Sequence, residues 1–230
     1  MILEMTRPTQ GGLRQERKLE AVANHLANAS TVGFKKDVVS FDKEFKAQIN
    51  RDFSQGDVKY TNNPLDFALE TEGFFKVETS EGIRYTRNGS FSLNSEGVLV
   101  DKSGNPILAQ GGAVVIDTNR LDELVEINET GQIEFNNNII DTLDIVTFAD
   151  LDKLEKEGQN LFAYTGDSND EIPPESVLVK TGALEQSNVK VVDEMVRMID
   201  YQKMFEMYSK SMKTFDEVDS KAINEVGQVT

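Results

Sequence analysis

The C-terminal part of the chain carries a long apolar stripe at helical spacing. Its positions alternate in steps of three and four residues, which keeps one face of an α-helix turned towards a partner. The positions are Met198, Tyr201, Phe205, Tyr208, Met212, Phe215, Asp219, Ala222 and Val226. Only Asp219 is polar. A stripe of this length spans about 40 Å, which is long for a helix that serves a small core, so it predicts packing against another helix.

The pattern near the N-terminus predicts a second helix over residues 13–31. Three-four spacing forms one apolar face from Leu19, Val22, Ala23, Leu26 and Ala27. Gly11-Gly12 precede the helix and leave its start flexible, and Gly33 is placed like a left-handed cap at its end. A further short amphipathic stretch is predicted through Val38, Phe41, Phe45 and Ile49.

From residue 54 the pattern changes to short β-rich runs separated by turn residues. The clearest predicted hairpin is Tyr85–Leu93, with Asn88-Gly89 in a type I′ turn because both central residues need a positive φ. Asp150–Gly158 is charged and is predicted as a short surface helix, and Val177–Val179 as the last strand. Helix returns after Gly182, since Val191 to about Glu225 contains no Pro or Gly.

The order of helix, many strands and long helix predicts an α+β fold. We expect a mostly antiparallel β domain at residues 48–185, inserted between helices that pair as a coiled-coil-like assembly domain at 1–47 and 186–230. The helices would meet as an antiparallel or bundled pair. Since the C-terminal stripe is longer than the N-terminal one, its surplus predicts contacts with other subunits; the alternative is an ordinary helix packed on its own domain.

The charge is unevenly placed. The net charge is -16, and residues 48–185 carry the whole excess, with ten Lys and Arg against 26 Asp and Glu. An acidic surface argues against nucleic acid and against anionic membranes, because both need a basic face. The nearly neutral ends can pack together while the acidic middle stays solvated.

Candidate chemistry is sparse. The chain has no Cys and one His, so it offers no disulfide or thiolate metal site, and His25 reads as a plain helix residue. Asp117–Asp122 superficially resembles a calcium loop but lacks its Gly and closing Glu, so a solvated loop is predicted. Asp167–Glu171 is predicted as a surface loop. We predict no catalytic, cofactor-binding or metal-binding residue.

Composition and motifs leave two function classes open at this point. One is an acidic β-rich hydrolase, which 40 acidic residues leave open by composition although no nucleophile elbow or phosphate loop is present. The other is a soluble binding protein that dimerises through its coiled coil. No apolar run reaches transmembrane length and no secretory signal opens the chain, so any export is expected to need no cleaved signal peptide.

Three motifs in order carry a family resemblance. Asn24–Lys35 resembles the N-terminal signature of flagellar rod and hook axial proteins, although His25 and Val32 stand where Asn and Pro are usual. Asp66–Val77 with Tyr85–Phe91 resembles the segment that opens the β domain of that family, and Gly182–Val189 resembles the signature before its C-terminal helix. The matching positions are Asn24, Leu26, Ala27, Asn28, Thr31, Gly33, Phe34, Lys35, Gly73, Phe74, Phe75, Leu184, Glu185, Ser187, Asn188 and Val189. The tail around Lys203–Glu206 looks most like the proximal-rod type and next like the distal-rod type. A hook-type axial protein of the same family is a further alternative.

The resemblance implies a structural subunit of the bacterial flagellar basal-body rod rather than an enzyme. Such proteins stack into the rod that crosses the periplasm, with terminal helices inside and the β domain outside. It implies export through the flagellar type III apparatus, and partners among copies of itself and other axial proteins, with no nucleic acid and no membrane insertion. The expected assembly interface is Leu19, Ala23, Leu26, Met198, Tyr201, Phe205, Tyr208, Met212, Phe215 and Ala222. A buried Asp219 would fix the register of packing, although an exposed position would explain it equally well.

Overall fold

A computed structural model describes residues 2–42, 46–116, 125–135, 138–158 and 160–226 of the chain. The described residues form two compact units. The first, called the helical unit below, takes its residues from 1–29, 36–52 and 189–230; the second, called the β unit, takes them from 30–35 and 53–188. The calcium-like loop at 117–122 and the predicted position of Phe45 lie outside the described residues.

The helical unit contains two long helices, α1 (Ile2–Ala27) and α2 (Val191–Val226). The predicted C-terminal helix is confirmed: it has no internal Pro or Gly, and Asp193 and Glu194 in its first turn favour the positive end of the helix dipole. Helix α1 begins earlier than predicted, including Pro8, and ends at Ala27 rather than at residue 31.

A two-stranded hairpin completes the helical unit. Strands β1 (Asp37–Phe41) and β2 (Ala47–Arg51) pair antiparallel, with Val39 opposite Ile49. The prediction of an amphipathic stretch at helical spacing through Val38, Phe41 and Ile49 is therefore wrong. The β-branched and aromatic residues of the sequence Val-Val-Ser-Phe favour a strand. Pairing with β2 then favours the strand over the amphipathic stretch.

The β unit consists of short strands joined by turns, and every pairing between its strands is antiparallel. The strands are β3 (Val58–Tyr60), β4 (Phe67–Leu69), β5 (Phe74–Thr79), β6 (Gly82–Thr86), β7 (Ser92–Leu93), β8 (Leu99–Val100), β9 (Leu108–Ala109), β10 (Gly112–Ala113), β11 (Val125–Ile127), β12 (Gln132–Phe135), β13 (Asn138–Thr142), β14 (Ile145–Phe148), β15 (Leu154–Glu157), β16 (Leu161–Tyr164), β17 (Glu171–Ile172), β18 (Val179–Thr181) and β19 (Ala183–Glu185). The largest sheet has the order β15-β16-β6-β5-β14-β17.

The central strand β5 is buried on both faces. Phe74 and Phe75 are adjacent, so their side chains point to opposite sides of the sheet, and each is 1% exposed. Phe75 joins an aliphatic and aromatic cluster with Phe91, whereas Phe74 joins a second cluster with Phe148 and Phe162. The sheet therefore has a hydrophobic core on each side.

The Asn88-Gly89 hairpin prediction is wrong. Strand β6 ends at Thr86, and its hairpin partner is β5 through the turn at Ser80-Glu81. Gly89 instead lies against the backbone of Phe67: a Cβ on Gly89 would be 1.6 Å from the Phe67 carbonyl oxygen, and the Phe67 amide donates to the Gly89 carbonyl. Glycine is needed there for close backbone approach rather than for a turn.

Two smaller predictions also change. The segment Asp150–Gly158 is not a helix; it forms one short 3-10 turn at Leu151–Lys153 and then strand β15. The predicted strand Val177–Val179 is shifted by two residues towards the C-terminus, since β18 begins at Val179. The α+β class is confirmed: an antiparallel β region lies between an N-terminal and a C-terminal helix.

Candidate assembly surface

The two helices of the helical unit run antiparallel. Thr9 Oγ1 lies 3.5 Å from Met212 Sδ near the start of α1. The Lys18 ammonium lies over the Tyr201 ring at 5.3 Å from its centre. His25 Nδ1, in the last turn of α1, lies 3.0 Å from Glu194 Oε2. As residue numbers rise along α1 they fall along α2, so the helices pass each other in opposite directions.

Close approach of the helices depends on Gly11. A Cβ on Gly11 would lie 2.5 Å from the Tyr208 ring, closer than real side chains come, whereas a Cβ on Gly12 would meet its nearest neighbours only at 3.9 Å. Both glycines lie inside α1. Their sequence was interpreted as a flexible start to the helix, and the structure shows a packing contact instead.

The buried face of α1 is rotated from the predicted one. Gln15, Val22 and His25 are buried at 5%, 3% and 4% exposure. Leu19 and Leu26 are half-buried, and the predicted face residues Ala23 and Ala27 are exposed. The predicted face included alanines because they fit the hydrophobic spacing. The buried positions are instead occupied in part by the polar residues Gln15 and His25, and a pattern of apolar residues cannot indicate buried polar ones.

Helix α1 covers only part of the stripe on α2. Met198, Tyr201, Tyr208, Met212 and Asp219 are half-buried. The side chains of Phe205 and Phe215 are exposed at 36% and 37%, and those of Ala222 and Val226 lie outside the described residues. The stripe therefore has apolar surface that its own chain leaves accessible.

A second apolar face occupies the N-terminal half of α2. Val192, Met195, Val196 and Ile199 are 73%, 52%, 54% and 51% exposed. Val192 precedes Tyr201 by nine residues, or about 2.5 helical turns, so this face lies on the opposite side of α2 from the stripe that meets α1. Contiguous exposed apolar residues of this kind mark interaction surfaces.

A buried ion pair joins two of the sequence motifs inside the β unit. Lys35 Nζ lies 2.7 Å from Glu185 Oε1, and both side chains are fully buried. Lys35 also donates to the Ser54 carbonyl oxygen at 2.7 Å, and Glu185 accepts from the Gly56 amide at 2.8 Å. Arg87 Nη1 lies 3.5 Å from Glu185 Oε2. These bonds satisfy charges that would be costly to bury alone.

Burial sets the electrostatics of this cluster. Desolvation lowers the pKa of the Arg87 guanidinium, and the charge of Glu185 opposes that shift. The guanidinium keeps its charge because an arginine pKa starts so high. Arg87 is not among the residues predicted to be functional, and its place in the Tyr85–Phe91 motif is the signal that the sequence offers for it.

Other motif residues shape the backbone around the ion pair. Gly33 has φ of +67°, and its amide donates to the Glu185 carbonyl oxygen at 2.8 Å, so its left-handed conformation is confirmed but serves strand β19 rather than a helix cap. Phe34 is buried, with the Lys156 ammonium 4.1 Å from its ring centre. Asn160, also left-handed, donates to the Val32 carbonyl oxygen at 2.8 Å.

The remaining motif positions divide by exposure. Gly73 has φ of +143°, and a Cβ there would be 2.8 Å from Ile145 Cγ2. Asn28 Nδ2 donates to the Asn24 carbonyl oxygen at 2.9 Å, and Asn188 Nδ2 donates to the Ser54 carbonyl oxygen at 3.2 Å. Leu184, Ser187 and Val189 are buried, Thr31, Asn28 and Asn188 are half-buried, and the Asn24 side chain is exposed.

Two findings on the described part of the chain concern metal-binding groups and membrane-spanning helices. Within it, no group of three His, Asp or Glu side chains is placed to hold a metal ion. Likewise, neither α1 nor α2, over its described length, combines the length and apolar character that crossing a membrane requires.

Comparison with known proteins decides the family. A relative described as flagellar basal-body rod protein FlgF, from Caulobacter vibrioides, is 31% identical over 93% of this chain and 93% of its own length. The chain belongs to the flagellar basal-body rod protein family. Two family models agree: the FlgE/F/G D1 domain of flagellar hook proteins matches residues 68–135, and the C-terminal model of flagellar basal-body rod FlgEFG proteins matches residues 180–225.

Further relatives of this rod family cover nearly the whole chain. A flagellar basal-body rod protein FlgG of Bacillus subtilis is 31% identical over 91% of this chain and 93% of its own length. A flagellar hook-basal body complex protein FlhO of the same organism is 27% identical over 96% and 97%. The chain is a structural component of the flagellar basal body and not an enzyme.

Proposed function

We propose that this protein is a subunit of the flagellar rod that assembles through its terminal helices with copies of itself and with other axial proteins. The observation that carries the proposal is the apolar surface that α2 leaves accessible on two sides. One side is the part of the stripe around Phe205 and Phe215, and the other is the face of Val192, Met195, Val196 and Ile199.

This surface favours burial in an assembly. Full burial of one Val, Ile, Met or Phe side chain stabilises by about 1.5–3 kcal/mol, so six such residues offer a large gain to a packed neighbour. Two apolar faces on one helix fit contacts with more than one neighbouring helix, as a tube of coiled-coil-like helices requires. The expected interface of Leu19, Ala23 and Leu26 on α1 would complete that packing.

The β unit is assigned to the solvated outer part of the assembly. Residues 48–185 carry ten basic and 26 acidic residues, a balance that suits a hydrated surface. Relative to the predicted domain limits, residues 48–52 belong to the helical unit, and residues 30–35 and 186–188 belong to the β unit. We therefore assign assembly to 1–29, 36–52 and 189–230.

The finer assignment is to the proximal rod, with the distal rod or a hook-type axial protein of the same family as the alternative. The tail around Lys203–Glu206 supports the proximal type, while relatives named FlgF and FlgG both reach 31% identity. Export through the flagellar type III apparatus belongs to the same proposal.

Charge substitutions on α2 test the proposal. Val196→Asp and Ile199→Asp place a carboxylate on exposed positions, so the isolated protein should keep its circular dichroism spectrum and melting temperature. Both should abolish rod extension and motility, because a charge cannot be buried in an apolar interface. Gln202→Asp, on the same helix at an exposed polar position, is the matched control and should swim. Normal motility of both apolar-face variants would contradict the proposal.

A further inference from the structure

We propose that His25 is a proton-sensitive latch that holds the β1–β2 hairpin on the helices of the helical unit. In its neutral form the ring binds both the hairpin and α2. Protonation releases the first residue of the hairpin and at the same time strengthens the bond to α2. The proposal concerns the fold of the helical unit and does not depend on the assembly role proposed above.

Both nitrogens of the His25 ring are used. The side chain lies at the end of α1 and is 4% exposed. The Asp37 backbone amide donates to His25 Nε2 at 3.0 Å, and His25 Nδ1 lies 3.0 Å from Glu194 Oε2. A backbone N–H can only donate, so Nε2 is an acceptor and carries no proton. The neutral ring therefore has its proton on Nδ1, which donates to Glu194.

Protonation acts on these two bonds with opposite sign. A proton on Nε2 would face the Asp37 N–H, and two donors cannot bond, so the hydrogen bond to the hairpin is lost. The bond from Nδ1 to the Glu194 carboxylate becomes charge-assisted and stronger. One titration thus moves His25 from bridging three elements to binding α2 alone.

The charged groups around the ring have partners of their own. From α2, Glu194 Oε1 accepts from Arg197 at 3.0 Å. From the hairpin, Asp37 accepts from Arg51 at 2.9 Å, and Lys36 lies 3.3 Å from Asp52. From α1, the Lys18 ammonium lies over Tyr201. The carboxylate hydrogen-bonded to the ring itself is that of Glu194.

A cleft beside His25 gives protons a route and the hairpin base room to move. Its volume is about 230 Å³, and its lining includes Lys18, Val22, Val38, Asp52 and Tyr201 from α1, the hairpin and α2. The ion pair of Asp37 with Arg51 and the bond of the Asp52 amide to the Lys36 carbonyl oxygen, at 2.9 Å, close the hairpin on itself. The hairpin can therefore keep its own pairing when the bond from the Asp37 amide to His25 is lost.

Histidine is the side chain suited to such a latch, because its ordinary titration falls roughly between pH 5 and 8. His25 is the only histidine of the chain, so its ring resonances need no assignment against others. The full-length protein can therefore report ring protonation and hairpin release in one nuclear magnetic resonance experiment.

The test follows the His25 ring carbon and the Asp37 amide from about pH 8 to about pH 5. We expect the hydrogen-exchange protection factor of the Asp37 amide, which is corrected for intrinsic exchange, to fall by about tenfold or more. The midpoint of this fall should coincide with the midpoint of the ring titration. Amides in the centre of α1 and α2 should keep their protection. His25→Gln supplies a non-titrating acceptor and donor, so its Asp37 amide should show no such change.

Three results would overturn the latch. The first is an Asp37 amide that stays protected while the ring titrates. The second is a ring that remains neutral to about pH 5 with the helices folded. The third is an equal loss of protection in His25→Gln. If that variant does not fold, the comparison of the two midpoints in the natural protein still decides.

Discussion

Lys35 Nζ lies 2.7 Å from Glu185 Oε1 in the interior of the β unit, with neither side chain exposed. The two residues are 150 positions apart in sequence, and each belongs to a motif that identifies the family. The pair shows that these motif residues hold the β unit together at the point where its first and last segments meet.

Removing one partner of this pair should be costly. Lys35→Met leaves the Glu185 carboxylate buried without its lysine, and we expect a loss of about 3–5 kcal/mol in the free energy of unfolding. Urea denaturation measures it. The matched control is Lys180→Met, since Lys180 also lies 2.7 Å from a glutamate, Glu70, but is 35% exposed. Its loss of stability should be much smaller than that of Lys35→Met, because solvent screens an exposed ion pair.

A double substitution separates pairing from burial. The double variant Lys35→Met/Glu185→Leu lacks both charges. Its loss in the free energy of unfolding should therefore be smaller than the sum of the losses in the two single variants. Additive losses would show that the two side chains stabilise the β unit independently.

Gly11 and Gly12 offer a matched pair for the helix contact. Gly11→Ala should weaken the packing of α1 on α2, because its Cβ would meet the Tyr208 ring at 2.5 Å. The Cβ of Gly12→Ala has space, so this variant should gain up to about 1 kcal/mol in the free energy of unfolding from the better helix propensity of alanine. Thermal unfolding followed at 222 nm compares them. Equal melting temperatures for the two variants would contradict the close approach at Gly11.

Gly89 should tolerate no side chain. Gly89→Ala would place a Cβ 1.6 Å from the Phe67 carbonyl oxygen, so strand β4 must move and the β unit should lose several kcal/mol or fail to fold. Gly104→Ala is the control: its φ of +86° is unfavourable for alanine, but its Cβ meets nothing within 4 Å. We expect Gly104→Ala to lower the free energy of unfolding by about 1–2 kcal/mol. Soluble yield and urea denaturation of both variants provide the measurement.

Tyr85 should make the β unit sensitive to alkali. Burial raises the pKa of its phenol, and its hydrogen bond to Glu171 raises it further. Because the folded state holds the proton more tightly than the unfolded state, this stabilisation is present below the unfolded value of about 10 and is lost as pH rises above it. The absorbance of the phenolate should show Tyr85 resisting ionisation until the β unit unfolds. Tyr85→Phe should remove that resistant tyrosine and flatten the alkaline loss of stability.

The sequence pattern predicted the parts of the fold that a period or a motif defines. Helix α2 follows from 36 residues without an internal Pro or Gly and with regular apolar spacing. The antiparallel β region follows from frequent turn residues between short β-rich runs. The family followed from three motifs in order. These motifs contain positions that few residue types can fill, such as the left-handed backbone at Gly33 and the buried charge at Lys35.

The errors have a common physical cause, which is tertiary contact. The hairpin β1–β2 replaced a predicted amphipathic stretch because pairing with a second strand overrode helical spacing. Gly89 was assigned to a turn, but a distant carbonyl oxygen occupies the space that a side chain would need. His25 was interpreted as a plain helix residue, and its two bonds come from residues 12 and 169 positions away, which no local pattern encodes.

The most direct test of the assembly proposal uses the absence of cysteine in the chain. Ile199→Cys introduces a single thiol on the second apolar face of α2, at a position 51% exposed in the single chain. Its labelling by a maleimide is compared between the isolated protein and purified basal bodies from a motile strain. We predict rapid labelling of the isolated protein and strong protection in basal bodies, with full labelling restored on dissociation. Labelling that is equally fast in intact basal bodies would contradict burial of this face in the rod.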